Sequence, residues 1–487
     1  MEPQAAAEVL QKALKDPRAP VTVADAAAAS GLALRDAERG LNWLTSTYRG
    51  HLRVTEEGQL LFLYPYGFTK PWETGDALRD AFRAVARAVG GVARFVVRAW
   101  LTIAIFAYAG AFLAILLGLT LARQGSSSRD DLPGSALLYV VFRVLADALF
   151  WTFHPFSPLA IGMGPRAAES EPTSRWERRE AAKPDVPFYE KVNRFVFGPT
   201  DPPHDPRAME RRVLAEIRAQ KGRIGLGDVM RVTGLPREEA DPMMARLMLD
   251  YDGDVDVSEG GGITYRFEAL RKTALEVGEP RPTPAWMERK SVPPLTGNPA
   301  GSNVLVGLLN GFNLVMGLFA LDANLTLGRL VNLYDMIRAP HHLVVPPIPY
   351  DGIPIAFGIV PLVFSIALFA LPLGRALLLR LRAREVAHEN GRLGLLREIL
   401  TRVGAKEPLT EPALEQAWAQ AAGQPPAPKE LTRVVVELGG DVQIEESGEV
   451  RYRFVDLETE AEALEEERAI AKDEEAKVGR VVFGSDS

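Results

Sequence analysis

Hydrophobic and polar positions alternate in three separate parts of the chain. Three sixteen-residue stretches, each with a polar turn that contains glycine, align without a gap at 49–64, 252–267 and 439–454. Strict alternation of this kind predicts an antiparallel hairpin with one buried face. In the first strand of each hairpin, the residues that share one face are Leu52/Val54, Val255/Val257 and Val442/Ile444.

Helical patterns precede each hairpin. They fall at 4–15, 22–30 and 34–48, then at 207–220, 227–233 and 237–250, and finally at 391–403, 411–421 and 427–438. Three helices followed by a two-stranded wing form the winged helix, a variant of the helix-turn-helix. The sequence therefore predicts three small winged-helix-like modules, called modules 1, 2 and 3, at residues 1–68, 207–268 and 388–455.

Long apolar runs lie between the modules. Residues 99–122 carry no charge over 24 positions, which at 1.5 Å per residue is enough to cross a hydrocarbon core about 30 Å thick. Further runs at 303–321 and 353–374 have the same character, and a weaker one spans 135–159. We predict a mainly α integral membrane protein with about four transmembrane helices plus the three α+β modules, the helices being paired at 99–163 and 302–380.

The remaining segments are polar. We predict a basic amphipathic helix at 69–98, linkers at 164–206 and 269–301, and an acidic helical tail at 456–487, solvated over 456–477. Arginine is concentrated before the first and after the second and fourth apolar runs. By the positive-inside rule, these positions place both termini and module 2 in the cytoplasm, with the chain in the cytoplasmic (inner) membrane as a multi-pass protein.

Arginines recur on one face of the predicted helix at 69–98. This spacing is typical of an interfacial helix on anionic lipid, which makes membrane lipids a predicted partner. The alternative is a solvated face against another subunit. The arginines predicted to contact the membrane surface are Arg79, Arg83, Arg87, Arg94 and Arg98.

Polar residues within the apolar runs are candidate functional groups, because such residues are costly in lipid. Arg143 and Asp147 lie four positions apart, where they can pair on one helix face; the alternative role is a purely structural salt bridge. Asn310 and Asn313 can bond across helices. A GxxxG pattern predicts helix packing, within one subunit or between two, through Gly307 and Gly311.

Composition narrows the possible functions. The 487 residues include 56 Lys+Arg, 63 Asp+Glu and no cysteine, for a net charge of −7. The lack of cysteine excludes thiolate nucleophiles, disulfides and Cys-ligated clusters. No P-loop, GxSxG, HExxH or EF-hand pattern occurs. We therefore predict a protein that is not an enzyme, with no catalytic, cofactor or metal site.

The predicted third helices bear on nucleic-acid binding. Module 1 offers Arg35, Arg39, Asn42 and Arg49, but the third helix of module 2 is acidic and that of module 3 is mostly apolar. The wings also carry glutamates, which phosphates repel. These features argue against nucleic acid as a partner and favour association with protein.

The order of these segments resembles a family of membrane proteins in cyanobacteria and chloroplasts. It is carried by FLYPYGF (62–68), FWTFHPFSP (150–158), FYEKVNRFVFGPTDPP (188–203) and SNVLVGLLNGFNLVMGLF (302–319). Plant members are labelled "iron-sulfur cluster biosynthesis family protein". The resemblance covers roughly residues 20–385 and implies an architecture rather than an activity. A cysteine-free chain has no thiolate with which to ligate a cluster.

These observations lead to one principal expectation and two alternatives. The expectation is a non-enzymatic, membrane-anchored scaffold that forms a homo-oligomer through its cytoplasmic modules. The first alternative is an oligomeric channel or transporter that uses the polar residues of the apolar runs. The second is a membrane-bound DNA-binding regulator. The sequence defines no small-molecule substrate.

Overall fold

In a computed structural model, the chain forms two compact units. Unit 1 comprises Met1–Asp76, Pro203–Val292 and Arg382–Ser487, and unit 2 comprises Ala77–Pro202 and Pro293–Leu381. The structure describes residues 1–69, 99–118, 186–199, 205–274, 280–338, 352–427, 429–444, 450–471 and 477–485.

The protein is mostly helical, with small sheets. A 3-10 turn at Ala285–Met287 and a π turn at Ile355–Ile359 add to the α-helices. In chain order, the α-helices of the described residues are α1 Pro3–Ala13, α2 Val23–Ser30, α3 Leu34–Tyr48, α4 Ala99–Gly118, α5 Phe188–Phe197, α6 Ala208–Ala219, α7 Leu226–Thr233, α8 Arg237–Asp250, α9 Glu268–Arg271, α10 Ala300–Asp322, α11 Leu327–Arg338, α12 Val360–Ala405, α13 Glu411–Ala422, α14 Glu430–Glu437 and α15 Val455–Ala471.

Three antiparallel sheets, each with three strands, belong to unit 1. The orders are β2-β1-β9, β3-β5-β4 and β6-β8-β7, so that the second strand of the hairpin is central in modules 2 and 3. The strands are β1 His51–Thr55, β2 Leu60–Leu63, β3 Arg223–Ile224, β4 Asp254–Val257, β5 Ile263–Arg266, β6 Leu409–Thr410, β7 Asp441–Ile444, β8 Val450–Arg453 and β9 Val481–Gly484.

The three predicted hairpins are present, as β1–β2, β4–β5 and β7–β8. Their registers place Leu52 opposite Phe62, Val255 opposite Tyr265 and Val442 opposite Tyr452. Each hairpin follows a helix, a short strand or bridge, and two further helices. In module 1 the bridge joins Val21 to Phe62.

Local sequence signals explain the second helix of modules 1 and 2. The α2 helix begins with a capping box in which Thr22 and Asp25 exchange side-chain-to-backbone hydrogen bonds. It ends at Gly31, whose φ of +70° is accessible to glycine at little cost. The α7 helix ends in the same way at Gly234, with a φ of +72°.

A single apolar cluster holds unit 1 together. It draws Leu41 and Phe62 from module 1, Met230 from module 2, and Trp418 and Phe454 from module 3. Each of these side chains is at most 2% exposed. The modules therefore share buried apolar surface, the main favourable contribution to folding.

The tail differs from its prediction. Helix α15 is not solvated along its length, because Leu457 and Leu464, seven positions apart, bury one face. The expectation of a solvated helix over 456–477 is therefore wrong for this part. In the sequence, the many glutamates around these two leucines obscure the narrow apolar face of the helix. Further on, Val481–Gly484 forms a strand that pairs with β1, not a helix.

Among the described residues, three helices are long and apolar enough to cross a membrane. They are Ala99–Gly118, Ala300–Asp322 and the continuous segment Ile355–Ala405, and an 18-residue stretch of each has a mean hydropathy of 2.2, 2.0 and 2.4, respectively. The weaker predicted span at 135–159 lies outside the described residues. Helix α12 also runs beyond the predicted end of the apolar region at residue 380, because the following residues are good helix formers with no proline.

Candidate functional site

The predicted site residues fall partly within the described structure. The five arginines expected at the membrane surface, Arg79 to Arg98, lie outside the described residues, as do Arg143 and Asp147. Asn310 and Asn313 are on α10, and both are fully buried.

The two asparagines bond to different helices of unit 2. Asn310 Nδ2 donates to the Ser365 carbonyl on α12 at 3.0 Å, and Asn313 Nδ2 donates to the Ile105 carbonyl on α4 at 2.9 Å. Because the two residues are three positions apart, they lie on the same face of α10. This face therefore lies at the junction of three apolar helices.

The glycines of α10 have different surroundings. A methyl group added at Gly307 or Gly311 would meet no atom of the described residues within 4 Å. At Gly317 it would meet the Leu362 backbone nitrogen at 3.2 Å and the Gly358 oxygen at 3.4 Å. Gly317 is thus the glycine that permits close approach of α10 and α12, and packing between subunits through Gly307 and Gly311 remains a prediction.

A cluster of charged side chains, which we call the charge network, lines a cleft of about 910 Å³ in unit 1 or pairs with residues that line it. Helix α7, the end of α12 and helix α15 line the cleft. The charge network consists of Glu216, Asp228, Arg231, Arg281, Glu460 and Arg468.

Asp228 has three roles in the charge network. Its carboxylate accepts a hydrogen bond from the Gly225 amide at 3.1 Å, which caps α7. The same carboxylate accepts a hydrogen bond from Arg281 at 3.2 Å and pairs with Arg468 of α15. Asp228 therefore joins module 2 to the helix that follows module 3.

Glu216 is the most deeply buried carboxylate of the charge network, with a side chain 1% exposed. It pairs with Arg231 and accepts a hydrogen bond from Arg281 Nε at 2.8 Å. A buried carboxylate is costly unless cations and hydrogen bonds compensate for lost hydration. The two arginines provide this compensation.

Glu460 reaches from α15 to the first turn of α7. Its oxygens accept hydrogen bonds from the Leu226 and Gly227 amides, each at 2.9 Å, which have no partner within the helix. Burial raises the pKa of this carboxyl to about 8, although the Gly227 amide acts in the opposite direction. The negative charge of Asp228 adds to the rise, and Arg468 opposes it.

Asp25 occupies the corresponding place in module 1. It caps α2, pairs with Arg218, and accepts hydrogen bonds from Thr273 Oγ1 at 2.6 Å and the Ala274 amide at 3.0 Å. Burial alone would raise the pKa of Asp25, but Arg218 and these hydrogen bonds outweigh burial and hold the pKa below its ordinary value. Modules 1 and 2 are joined here.

Arginine side chains pair with the buried carboxylates of Asp25, Glu216 and Asp228. The carboxylates of Asp25 and Asp228 also accept hydrogen bonds from capping backbone amides. Within the described part of the chain, no group of three or more His, Asp or Glu side chains could hold a metal ion.

Asp25 and Asp228 occupy matching positions in the sequences of modules 1 and 2, VADAAAASGL (23–32) and LGDVMRVTGL (226–235). No local signal in the sequence marks their arginine partners, since Arg218 and Arg468 lie 193 and 240 positions away. Nothing in the sequence distinguishes Glu460 from the many other acidic residues of its helix.

Comparison with known proteins gives one similar sequence. The chain is 21% identical over 263 residues to an uncharacterized chloroplastic protein of Arabidopsis thaliana, covering 52% of this chain and 47% of that protein. The chain thus matches about half the length of this relative. No protein-family model matches the chain, and no solved structure matches it. The similarity is consistent with a plant chloroplast family of unknown function, and the iron–sulfur label gains no support from it.

Proposed function

We propose that this protein is a membrane-anchored scaffold, without enzymatic activity, that forms a homo-oligomer through three winged-helix modules. Helices α4, α10 and α12 are the proposed anchors, because their length and hydropathy suit a bilayer. The proposed location is an inner membrane, with both termini on the cytoplasmic side. The winged-helix assignment rests on the order of helices, short strand and hairpin in each module.

The proposal rests on the pairing of strand β9 with a wing strand of module 1. In the sheet β2-β1-β9, the C-terminal strand β9 pairs with β1, the first wing strand of module 1, and the residues of β1 are buried or half-buried. Strand addition of this kind is a common mode of protein recognition, because the main chain provides the hydrogen bonds.

The corresponding strands of modules 2 and 3 are uncovered in the part of the chain that the structure describes. Strands β4 and β7 are the edge strands of their sheets. Their apolar residues are exposed, Val257 by 62% and Ile444 by 74%. Open edges with apolar side chains favour pairing with another strand. We propose that the wings of neighbouring copies supply those strands.

The experiment is a mass measurement on the full chain in nanodiscs. We expect the wild-type protein to have the mass of an oligomer, and Val257→Lys and Ile444→Lys to shift it toward the monomer. The matched control is Leu249→Lys, which places the same charge at an apolar residue that is 84% exposed but lies on α8. A monomeric wild type, or wing variants with unchanged mass, would rule out the proposal.

A second candidate, an oligomeric channel or transporter, is supported by the burial of Asn310 and Asn313 among apolar helices. Polar side chains at such positions mark transport paths in many membrane proteins. Ion flux into liposomes that contain the purified protein tests this candidate. Absence of flux above that of empty liposomes would exclude it.

A further inference from the structure

Four buried side-chain oxygens on the helices α4, α10 and α12 of unit 2 accept or donate no hydrogen bond within the described residues. They are Thr102 Oγ1 on α4, Asn310 Oδ1 and Asn313 Oδ1 on α10, and Ser365 Oγ on α12. All four residues are 0% exposed. A buried polar atom without a partner costs on the order of 1–3 kcal/mol, so four in one apolar bundle need an explanation.

Hydrogen bonds and helix spacing bring the four residues to the same part of the bundle. Asn310 contacts Ser365 directly through the Ser365 carbonyl. Asn313 contacts Ile105, which is three positions from Thr102 on α4. The asparagines themselves share one face of α10. The oxygens therefore come from three helices that meet at this level of the bundle, and we call them the oxygen cluster.

The orientation of the asparagines makes their oxygens acceptors. Each Nδ2 donates to a backbone carbonyl, and a carbonyl can only accept. This arrangement determines which amide atom is oxygen, so both Oδ1 atoms need a donor or a cation. The Thr102 and Ser365 hydroxyls carry one donor each, but neither bonds to these oxygens, so both amide oxygens lack a partner within the described residues.

Helix α12 also contains a backbone carbonyl that loses its helical donor. Pro372 lies inside this helix and has no N–H to donate to the Leu368 carbonyl, four residues before it. Leu368 is itself buried, and it lies three positions from Ser365, on the same face of the helix. In transporters, unwound backbone carbonyls of discontinuous helices coordinate cations, and a carbonyl without its helical donor offers the same type of ligand.

We propose that the oxygen cluster binds a monovalent cation, with Na⁺ as the probe. Neutral amide, hydroxyl and carbonyl oxygens suit a hard monovalent cation, whereas divalent cations favour carboxylates. The described parts of α4, α10 and α12 place no carboxylate in the oxygen cluster. This site is independent of the proposed association through the wings, because it lies in unit 2.

The test is Na⁺ binding by the full chain in nanodiscs, measured with radioactive sodium and by the thermal midpoint when Na⁺ replaces N-methyl-D-glucamine. The informative variants are Thr102→Val and Ser365→Ala. Each removes one oxygen and breaks no hydrogen bond of the described residues. We expect each to weaken Na⁺ binding about tenfold, the effect of losing one hydrogen-bond-strength contact to a charge.

The control is Ser302→Ala, which removes a hydroxyl in the first turn of α10, away from the oxygen cluster. It should bind Na⁺ like the wild type. The proposal is overturned if the wild type shows no Na⁺ binding and the same midpoint in both salts, which would indicate ordered water only. It is also overturned if Thr102→Val and Ser365→Ala bind Na⁺ as tightly as the control Ser302→Ala and the wild type. This experiment measures Na⁺ binding and not particle mass. A negative result would therefore leave the proposed homo-oligomer untouched.

Discussion

The Arg468 guanidinium pairs with the carboxylate of Asp228, which lies 240 positions earlier in the chain and caps helix α7. One contact therefore connects the start of a helix in module 2 to the helix that follows module 3. Asp25 and Arg218 make the equivalent connection between modules 1 and 2. In module 3 the matching position is Ala413, so the capping aspartate does not recur there.

The first prediction concerns Asp228→Asn. This change leaves an amide that can still cap α7, but it removes the charge that pairs with Arg468. Breaking one side of a buried ion pair costs about 3–5 kcal/mol, and partial exposure of Arg468 places the expected cost at the lower end. Hydrogen exchange of α7 and α15 should become faster.

The control for this prediction is Asp241→Asn. Asp241 pairs with Arg237 at 3.6 Å, but its side chain is 51% exposed, and such pairs contribute little to stability. Hydrogen exchange of α7 and α15 in Asp241→Asn should match that of the wild type. Equal protection of α15 in both variants would show that the charge network does not hold this helix.

The second prediction concerns pH and Glu460. Since its pKa of about 8 in the folded protein is above the ordinary value near 4.5, the folded state binds more protons than the unfolded state between these limits. The stability from this group is present below pH 4.5 and is lost as the pH rises through 8. Protection of α15 from hydrogen exchange, corrected for the intrinsic rate, should fall as the pH rises from about 5 to about 8 and then level off.

The variant Glu460→Gln tests the assignment, because glutamine keeps an acceptor for the α7 amides and does not titrate. It should remove the pH-dependent loss, although Asp228 and Arg468 still face the position. Glu462→Gln, at a side chain 63% exposed, should behave like the wild type. If the protection of α15 falls with pH in Glu460→Gln as it does in the wild type, the titrating group is not Glu460.

The third prediction concerns strand β9. Removing residues 480–487 uncovers β1, whose edge then has unpaired N–H and C=O groups. The truncated protein should self-associate further at increasing concentration, measured by mass photometry in nanodiscs. A particle mass identical to that of the full chain at every concentration would show that β1 does not attract another strand.

The fourth prediction concerns Gly317→Leu. Its side chain would enter the space occupied by the backbone of Leu362 and Gly358, and overpacking of this kind costs about 1–3 kcal/mol. We expect a lower thermal midpoint by size-exclusion chromatography of heated samples. Gly311→Leu is the matched control, since the described residues leave space there. An equal decrease in the thermal midpoint of both variants would indicate that another segment packs against helix α10 at Gly311.

Patterns close together in the sequence determined the hairpins and the apolar helices. A period of two residues, as in Val255 and Val257, needs no distant partner to predict a strand. An uncharged run such as 99–118 likewise predicts a helix long enough to cross a membrane. Asp25 and Asp228 cap helices whose N-cap residues lie three positions before them, which is also a local contact.

The tertiary structure alone decided which distant groups meet. The pairing of Asp228 with Arg468, the position of β9 on β1 and the buried face around Glu460 depend on contacts between segments far apart in the chain. Charged side chains are common on every surface, and nothing local distinguishes the arginine that reaches a buried carboxylate. The oxygen cluster depends in the same way on three helices whose approach is set by packing at residues such as Gly317.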